Sequence, residues 1–225
     1  MGNSNEIAVH PSNPFSSSVS LHRRLSFTHN KKLGSEKTIL LLGLDNSGKS
    51  TFAYGLASIS NVPCTNASPP SWSPPYPAPS KNVTTKSAAI QARMFRLLDM
   101  PGHRDSRHLW YENLGELGAI CFCIDISDTL RFPLVAKELE RLHHEHQKLE
   151  IPPVVWILFT KADCLYDGPK LTAIDAYESI KKNHTFLTRN QCEWAFILMP
   201  MINCLSEPHL AATKTWINDN LAQKP

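Results

Sequence analysis

One loop signature restricts this chain to a narrow group of folds. The apolar run Thr38–Gly43 leads directly into residues 43–50 (GLDNSGKS), which fit the pattern G-x-x-x-x-G-K-[ST]. In this pattern a strand ends in a glycine-rich loop, and the backbone N–H groups of the loop turn inward at a helix N-terminus to bind phosphate oxygens. The sequence therefore predicts a strand, a phosphate-binding loop and a helix from Lys49, an arrangement suited to a nucleoside triphosphate.

The chemistry of this loop assigns roles to its side chains. Lys49 is expected to reach the β- and γ-phosphates, and the Ser50 hydroxyl is expected to ligate Mg²⁺. The candidate nucleotide-binding residues of the loop are Gly43, Asp45, Asn46, Ser47, Gly48, Lys49, Ser50 and Thr51.

Short apolar runs alternate with helical patterns along the rest of the chain. Such alternation is typical of a parallel sheet covered by helices. We predict the α/β fold of a P-loop NTPase, with a mostly parallel central sheet and helices on both faces. The predicted strands are Thr38–Gly43, Met94–Asp99, Ala119–Ile126, Pro153–Thr160 and Ala195–Ile202. The first predicted helix begins at Lys49, and the others span Arg104–Leu114, Leu134–Lys148, Ala173–Lys182 and Glu207–Leu221.

Two stretches lack this periodicity. Residues 1–35 are rich in Ser, Asn and His and are expected to form a flexible tail, so the predicted domain spans residues 36–222. Within it, Asn61–Ser80 carries seven prolines in twenty residues, which favours an extended loop inserted into the domain. This insertion could equally dock a proline-recognising domain or act as a passive linker.

Composition excludes several other classes. A net charge of +3 gives no basis for nucleic-acid binding, and no apolar run approaches the roughly 20 residues of a membrane-spanning helix. The six cysteines form no Cys-x-x-Cys pair, which indicates reduced thiols, and Cys121 and Cys123 are expected on one face of a strand. His143, His144 and His146 are interpreted as a solvated helix surface and not as a metal site.

Two further motifs follow later strands. Asp99 ends one strand and is followed by Gly102 and His103; the carboxylate can hold the Mg²⁺ shell, the Gly102 N–H can approach a γ-phosphate, and His103 can orient an attacking water. Thr160, Lys161 and Asp163 end another strand. An aspartate there can accept two hydrogen bonds from guanine, which adenine cannot offer in that arrangement, so the sequence favours a guanine nucleotide.

Together these motifs resemble the Arf/Sar family of small GTPases over roughly residues 37–222. The loop resembles that family's phosphate loop, which carries an aspartate at the position of Asp45. Arg107 and Trp110 lie four and seven positions after His103, as in the family's second switch, and a histidine at that position resembles the Sar branch. Pro101 stands where the family pattern has glycine. With this proline, residues 99–103 resemble the corresponding motif of the signal-recognition-particle receptor β subunit.

The resemblance implies a switch that binds GTP or GDP with Mg²⁺, hydrolyses GTP slowly, and uses His103 and Lys49 in catalysis. It also implies an exchange factor, a GTPase-activating protein and effectors, a cytoplasmic location with possible peripheral contact with an endomembrane, and a role in membrane traffic or organelle-linked signalling. The first-switch Mg²⁺ ligand is expected at Ser80, with Thr84 and Thr85 as alternatives, and Cys204 is expected in the last base-contacting loop.

Other interpretations remain open at this level. The altered first switch, Pro101 and the unclear last loop are compatible with a scaffold that binds guanine nucleotide but barely hydrolyses it. An ATP-using P-loop kinase is a third possibility, which Thr160–Asp163 argue against. Gly2 could be myristoylated, although Glu6 stands where the acylation consensus has Ser or Thr.

Overall fold

The computed structural model describes residues 37–59, 81–91, 93–115, 117–165, 171–182 and 196–222. These residues all lie in the compact unit Glu36–Pro225. The strands are β1 Lys37–Leu42, β2 Thr84–Ile90, β3 Arg93–Asp99, β4 Ala119–Asp125, β5 Val154–Thr160 and β6 Ile197–Leu198. The helices are α1 Lys49–Ser58, α2 Phe132–His146, α3 Ala173–Lys182 and α4 Glu207–Ala222, with 3-10 helices at Arg104–Asn113, Thr129–Arg131 and Ala162–Cys164.

The six described strands form one sheet in the order β2-β3-β1-β4-β5-β6. Strand β2 runs antiparallel to β3, and every other neighbouring pair is parallel. The predicted α/β fold with a mostly parallel sheet is confirmed. Since parallel strands end at the same edge, the segments that follow β1, β3, β4 and β5 converge there.

Two hydrophobic clusters, one on each face, hold the sheet between its helices. Alternate side chains of β1 point to opposite faces, so Leu40 and Leu42 join one cluster while Ile39 and Leu41 join the other. Helices α2 and α3 pack on the first cluster, and α1 and α4 contribute to the second. The central strands are therefore apolar on both sides, which explains their continuous hydrophobic runs.

Strand β6 is shorter than predicted. Residue 195 of the predicted strand Ala195–Ile202 lies outside the described residues, and β6 pairs with β5 over two residues. Pro200 has no backbone N–H and cannot continue the ladder. The chain nevertheless stays beside β5, because the backbone N–H groups of Met199 and Ile202 donate to carbonyls of β5 at 2.9 Å.

Two helices differ from their predicted form. Arg104–Asn113 is a 3-10 helix, and α2 begins at Phe132 instead of Leu134 because Pro133 suits a first helical turn. The interpretation of the α2 histidines as a solvated surface is wrong for His143 and His146, which are 5% and 6% exposed. Burial lowers the pKa of His143, and His146 Nε2 donates to the Pro153 carbonyl oxygen at 2.7 Å.

Cys121 and Cys123 lie buried in the same cluster, as their alternating spacing predicts. All four cysteines within the described ranges are free thiols. The described ranges also contain no group of His, Cys, Asp and Glu side chains that could hold a metal ion by themselves. In the part of the chain that the structure describes, no helix combines the length and the apolar character that crossing a membrane requires.

Phe122 tests the packing of the central strand. Its ring is fully buried on β4 and meets Trp110 edge-on at 5.9 Å between ring centroids. We expect Phe122→Ala to lower the free energy of unfolding by about 3–5 kcal/mol, because a large cavity opens beside β4. Urea denaturation measures this change. The control Leu130→Ala, at a side chain that is 93% exposed, should change it by less than about 0.5 kcal/mol, and equal effects would contradict the packing described.

Candidate nucleotide-binding site

The loop between β1 and α1 has a backbone that needs glycine. Gly43, Asn46 and Gly48 have φ angles of 139°, 59° and 77°. A Cβ atom on Gly43 would lie 2.2 Å from the Cys123 carbonyl oxygen, so this residue must lack a side chain. The positive φ angles turn the chain into the compact loop that the sequence motif predicts.

Lys49 is held inside this loop. Its Nζ donates to the Leu44 carbonyl at 2.6 Å and to Ser47 Oγ at 3.3 Å, and the residue is 6% exposed. Burial lowers the pKa of Lys49 below its ordinary value, while Asp99 and Asp45 oppose that shift. The hydrogen-bond acceptors of the ammonium are therefore both neutral groups. Phosphate oxygens are charged and form stronger hydrogen bonds, so they can replace these acceptors.

Ser50 and Asp99 meet at the carboxyl edge of the sheet. The parallel register places Leu41 opposite Asp99, so the end of β3 lies beside the end of β1. Ser50 Oγ donates to Asp99 Oδ2 at 2.5 Å. A hydroxyl and a carboxylate are the oxygen donors that Mg²⁺ prefers beside nucleotide phosphates, and this pair fits such an ion.

Gly102 packs directly against the phosphate loop. A Cβ on this residue would lie 2.4 Å from the Asp45 nitrogen and 2.5 Å from the Leu44 carbonyl carbon. The turn after β3 thus approaches the loop as closely as two backbones allow. The contact leaves no room for a side chain at Gly102, and the approach of its N–H to a terminal phosphate stays a prediction.

His103 lies at the rim of the site. Its side chain is 71% exposed, and Nδ1 is 3.6 Å from Asp105 Oδ2. The residue lines the same cleft as the phosphate loop. The imidazole is therefore near the phosphate end of the cleft, with its ring directed toward a neighbouring carboxylate.

Thr160 ties the opposite end of the cleft to the phosphate loop. Its buried Oγ1 lies 2.9 Å from the Ser47 carbonyl oxygen and 3.2 Å from the Ile124 carbonyl oxygen, and its one hydrogen can be donated to either. Lys161 follows in a left-handed conformation with φ 58°, and its Nζ forms an ion pair with Asp125 Oδ2 at 2.7 Å. These contacts fix the segment that carries Asp163.

Asp163 faces the cleft beside the last loop. The Ala162 N–H donates to the Ile202 carbonyl at 3.3 Å, which joins the two segments. Cys204 is 5% exposed and lines the cleft, and burial raises the pKa of its thiol. The Asn203 side chain shapes this turn by accepting the Leu205 N–H at 2.8 Å.

The resulting cleft has a volume of about 830 Å³. The phosphate loop, the turn after β3 and the segments after β5 and β6 line it together. Among the sequence-predicted residues that line it are Asp45, Asn46, Ser47, Gly48, Lys49, Ser50, Thr51, Gly102, His103, Lys161, Asp163 and Cys204. Gly43, Asp99 and Thr160 support the cleft from beneath through the contacts described above.

The structure describes two of the three candidates for the first-switch Mg²⁺ ligand. Ser80 lies outside the described residues. Thr84 and Thr85 are exposed residues of β2, and Thr84 pairs with Asp99 in the antiparallel register. Lys81, which sequence reasoning did not single out, also lines the cleft.

The sequence model of the ADP-ribosylation factor (Arf) family matches residues 25–193, more than half of the chain. This chain belongs to the Arf family. Its members are small GTPases, and the resemblance in the loop and switch motifs is confirmed at the level of the family.

Named Arf-family relatives show moderate identity. The chain is 30% identical to the small COPII coat GTPase SAR1 of Giardia intestinalis over 56% of this chain and 58% of that protein. It is 32% identical to ADP-ribosylation factor-like protein 10 of Mus musculus over 48% of this chain and 39% of that protein. It is 29% identical to ADP-ribosylation factor-like protein 3 of Caenorhabditis elegans over 84% of this chain and 89% of that protein. The matches to the first two relatives thus span about half of their length.

Solved structures share the fold at low sequence identity. The Arl6 (BBS3) small GTPase of Trypanosoma brucei with bound GppNp superposes with a TM-score of 0.64 at 18% identity, over 85% of this chain and 100% of that one. A chain of the mammalian signal-recognition-particle (SRP) receptor superposes with a TM-score of 0.64 at 16% identity, over 81% of this chain and 99% of that one. Both likenesses concern the fold.

Two arginines that sequence reasoning did not bring together lie beside Asp45 of this Arf-family loop, and each also pairs with a second carboxylate. Arg131 Nη1 donates to the Asp45 carbonyl at 3.1 Å and lies 3.3 Å from Asp45 Oδ2. Arg107 Nη2 lies 3.7 Å from Asp45 Oδ1, and Arg107 Nη1 pairs with Glu138 Oε1 at 2.8 Å. Arg131 is also paired with Asp128. Two guanidinium groups thus balance the carboxylate of the phosphate loop.

Thr160→Val tests the connection between the two ends of the cleft. Valine keeps the shape but removes the hydroxyl that bonds to Ser47 and Ile124. We expect the free energy of unfolding to fall by about 1–3 kcal/mol, since a buried carbonyl loses its donor. Thermal or urea unfolding measures the change. Thr215→Val on an exposed part of α4 is the control, and no difference between the two variants would show that the Thr160 hydroxyl is dispensable.

Proposed function

We propose that this Arf-family protein binds GTP and GDP with Mg²⁺ as a molecular switch and hydrolyses GTP slowly. One observation carries this proposal: the phosphate loop, the Asp99–His103 turn and Thr160–Asp163 line or support a single cleft. These segments are far apart in the chain. Their convergence supports the proposal, because a nucleoside triphosphate needs groups for its phosphates, its metal ion and its base in one cleft.

The phosphate end supports nucleotide binding with a metal ion. Lys49 supplies the ammonium for the β- and γ-phosphates, and Ser50 and Asp99 supply oxygen donors for Mg²⁺. A bound Mg²⁺ would neutralise phosphate charge. A hydroxyl from the first switch, at Ser80, Thr84 or Thr85, is the proposed additional ligand.

The base end supports guanine over adenine. Asp163 is proposed to accept hydrogen bonds from the N1–H and 2-amino groups of guanine. Lys161 would lay its apolar stem along the purine, because Asp125 already holds its ammonium at 2.7 Å. Cys204 closes this end of the cleft from the last loop.

Hydrolysis is proposed to depend on His103. The exposed imidazole lies at the phosphate end of the cleft, where it can turn from Asp105 toward an attacking water. Without an arginine from an activating protein, most of the rate enhancement of such a site is missing, so intrinsic turnover should be slow.

The proposed cellular role is based on the name of a relative. The name of the Giardia intestinalis relative connects it with the COPII coat. By analogy we propose a role in membrane traffic or organelle-linked signalling, with an exchange factor, an activating protein and effectors as partners. The proposed location is the cytoplasm, with peripheral contact with an endomembrane.

A second candidate is a scaffold that binds guanine nucleotide with little turnover. The His103 side chain favours it, because it is 71% exposed and its Nδ1 lies 3.6 Å from Asp105 Oδ2. Pro101 at the position of the family's glycine points the same way. Single-turnover hydrolysis, with and without an activating protein, separates this candidate from the active switch.

A titration with fluorescent GDP and GTP analogues, with and without Mg²⁺, tests nucleotide binding. We expect Mg²⁺-dependent binding that unlabelled GTP displaces and unlabelled ATP does not. Lys49→Ala should lower the affinity at least about a hundredfold, because a charged phosphate contact at a buried site is lost. Lys148→Ala, at an exposed lysine two residues after the end of α2, is the matched control. Unchanged affinity in Lys49→Ala would refute the site assignment.

His103→Ala tests the hydrolytic role. We expect the single-turnover rate of GTP hydrolysis to fall about 10²- to 10⁴-fold, the usual contribution of a group that positions or deprotonates the nucleophile. Affinity for GDP should stay within a factor of two, as roughly expected for a side chain that contacts no GDP atom. His144→Ala removes an exposed histidine of α2 as a control. Equal turnover of His103→Ala and the unmodified protein would remove His103 from its proposed role.

A further inference from the structure

Two side chains of the 3-10 helix Arg104–Asn113 hold the turn that precedes it. Trp110 Nε1 donates to the Pro101 carbonyl at 2.8 Å, and Arg107 Nε donates to the Gly102 carbonyl at 3.0 Å. Trp110 is fully buried and Arg107 is 6% exposed. The guanidinium also lies over the indole ring at 5.9 Å. Two successive carbonyl groups of the turn therefore each accept a hydrogen bond from this 3-10 helix.

The bond from Trp110 determines where the Gly102 N–H points. The Pro101 carbonyl and the Gly102 N–H belong to one peptide unit, and in a trans peptide these two groups point in opposite directions. No cis peptide bond occurs in the described part of the chain. The carbonyl is directed at Trp110, so the Gly102 N–H is directed away from the indole.

The side opposite Trp110 is the nucleotide cleft. The indole packs into the core against Phe122 and does not line the cleft, whereas Gly102 does line it. Gly102 also contacts the backbone of Leu44 and Asp45 in the phosphate loop. The Gly102 N–H therefore faces the phosphate end of the cleft, where a terminal phosphate would lie.

Arg107 connects the next peptide to α2. Its Nε bond fixes the Gly102–His103 peptide, and its Nη1 atom pairs with Glu138 on α2 at 2.8 Å. Glu138 Oε2 is also 3.4 Å from the Tyr111 hydroxyl. The orientation of the backbone at His103 is thus supported by a buried, charged hydrogen-bond network.

We propose that Trp110 and Arg107 are positioning residues that make the site selective for the triphosphate over the diphosphate. Trp110 aims the Gly102 N–H at the terminal phosphate, which GDP lacks, and Arg107 holds the adjoining peptide that carries His103. This inference rests on the proposed function and names the groups that discriminate between the two nucleotides.

Affinities of the full chain for GDP and for the non-hydrolysable triphosphate GppNp, both with Mg²⁺, test the role of Trp110. Trp110→Phe keeps an aromatic ring in the core but removes the N–H donor. We expect the affinity for GppNp to fall about fivefold to tenfold, the value of one hydrogen bond. The affinity for GDP should stay within a factor of two, roughly the error of such a comparison.

Trp156→Phe is the matched control. Trp156 is also fully buried, but it lies in the other hydrophobic cluster, and within the described residues its indole nitrogen has no hydrogen-bond partner. This variant loses the same atoms from the core without altering the turn. We expect it to change the ratio of the two affinities by less than a factor of two, about the limit of additivity errors.

Arg107→Lys gives a second test that does not depend on the folding of Trp110→Phe. Lysine keeps the positive charge near Glu138 and Asp45 but cannot reproduce the forked donors of arginine. We expect single-turnover hydrolysis to slow about tenfold with GDP affinity nearly unchanged, because the loss of about one charged hydrogen bond displaces the His103 backbone.

The outcomes separate the two proposals. If the unmodified protein binds neither nucleotide, the proposed function fails and this inference fails with it. If it binds both, but Trp110→Phe weakens GDP and GppNp equally or weakens neither, the role of Trp110 is overturned while nucleotide binding stands. Unchanged hydrolysis in Arg107→Lys overturns the role of Arg107 in the same way.

Discussion

The position of β1 in the middle of the sheet is the constraint on which the site depends. Strand β1 lies between β3 and β4, parallel to both, and its end passes directly into the phosphate loop. The turn after β3 is anchored to it by the Met100 N–H, which donates to the Leu41 carbonyl at 3.2 Å. Backbone pairing between the strands therefore brings cleft segments that are far apart in the chain close together, without help from the side chains of the site.

Much of this architecture could be predicted from local patterns. The continuous apolar runs of β1, β4 and β5 indicate strands buried on both faces, and the glycine motif predicts both the loop and the start of α1. The sequence could not predict the length of β6, because pairing there depends on how Pro200 interrupts the ladder with β5. It also could not distinguish the 3-10 helix Arg104–Asn113 from an α-helix, since the two have similar periods.

The site was predictable where residues act within one motif and unpredictable where they meet across the fold. Lys49 and Asp163 are recognised by their spacing from neighbours in the chain. The contact of Arg131 with Asp45 joins residues that are 86 positions apart, and that of Arg107 with Glu138 joins residues 31 apart. Neither pair has a local signal. The buried face of α2 at His143 and His146 was missed for a related reason, because histidine is equally compatible with a surface and with a core.

The turn at Pro101 and Gly102 has one more consequence. Its conformation is limited by the proline ring, by the Met100 N–H bond to β1 and by the bonds from Trp110 and Arg107. A segment with so many internal restraints has little conformational entropy left to lose when a ligand arrives. We therefore expect this turn to keep nearly the same conformation with GDP and with GTP. The two states should differ there mainly in the binding energy that the terminal phosphate contributes.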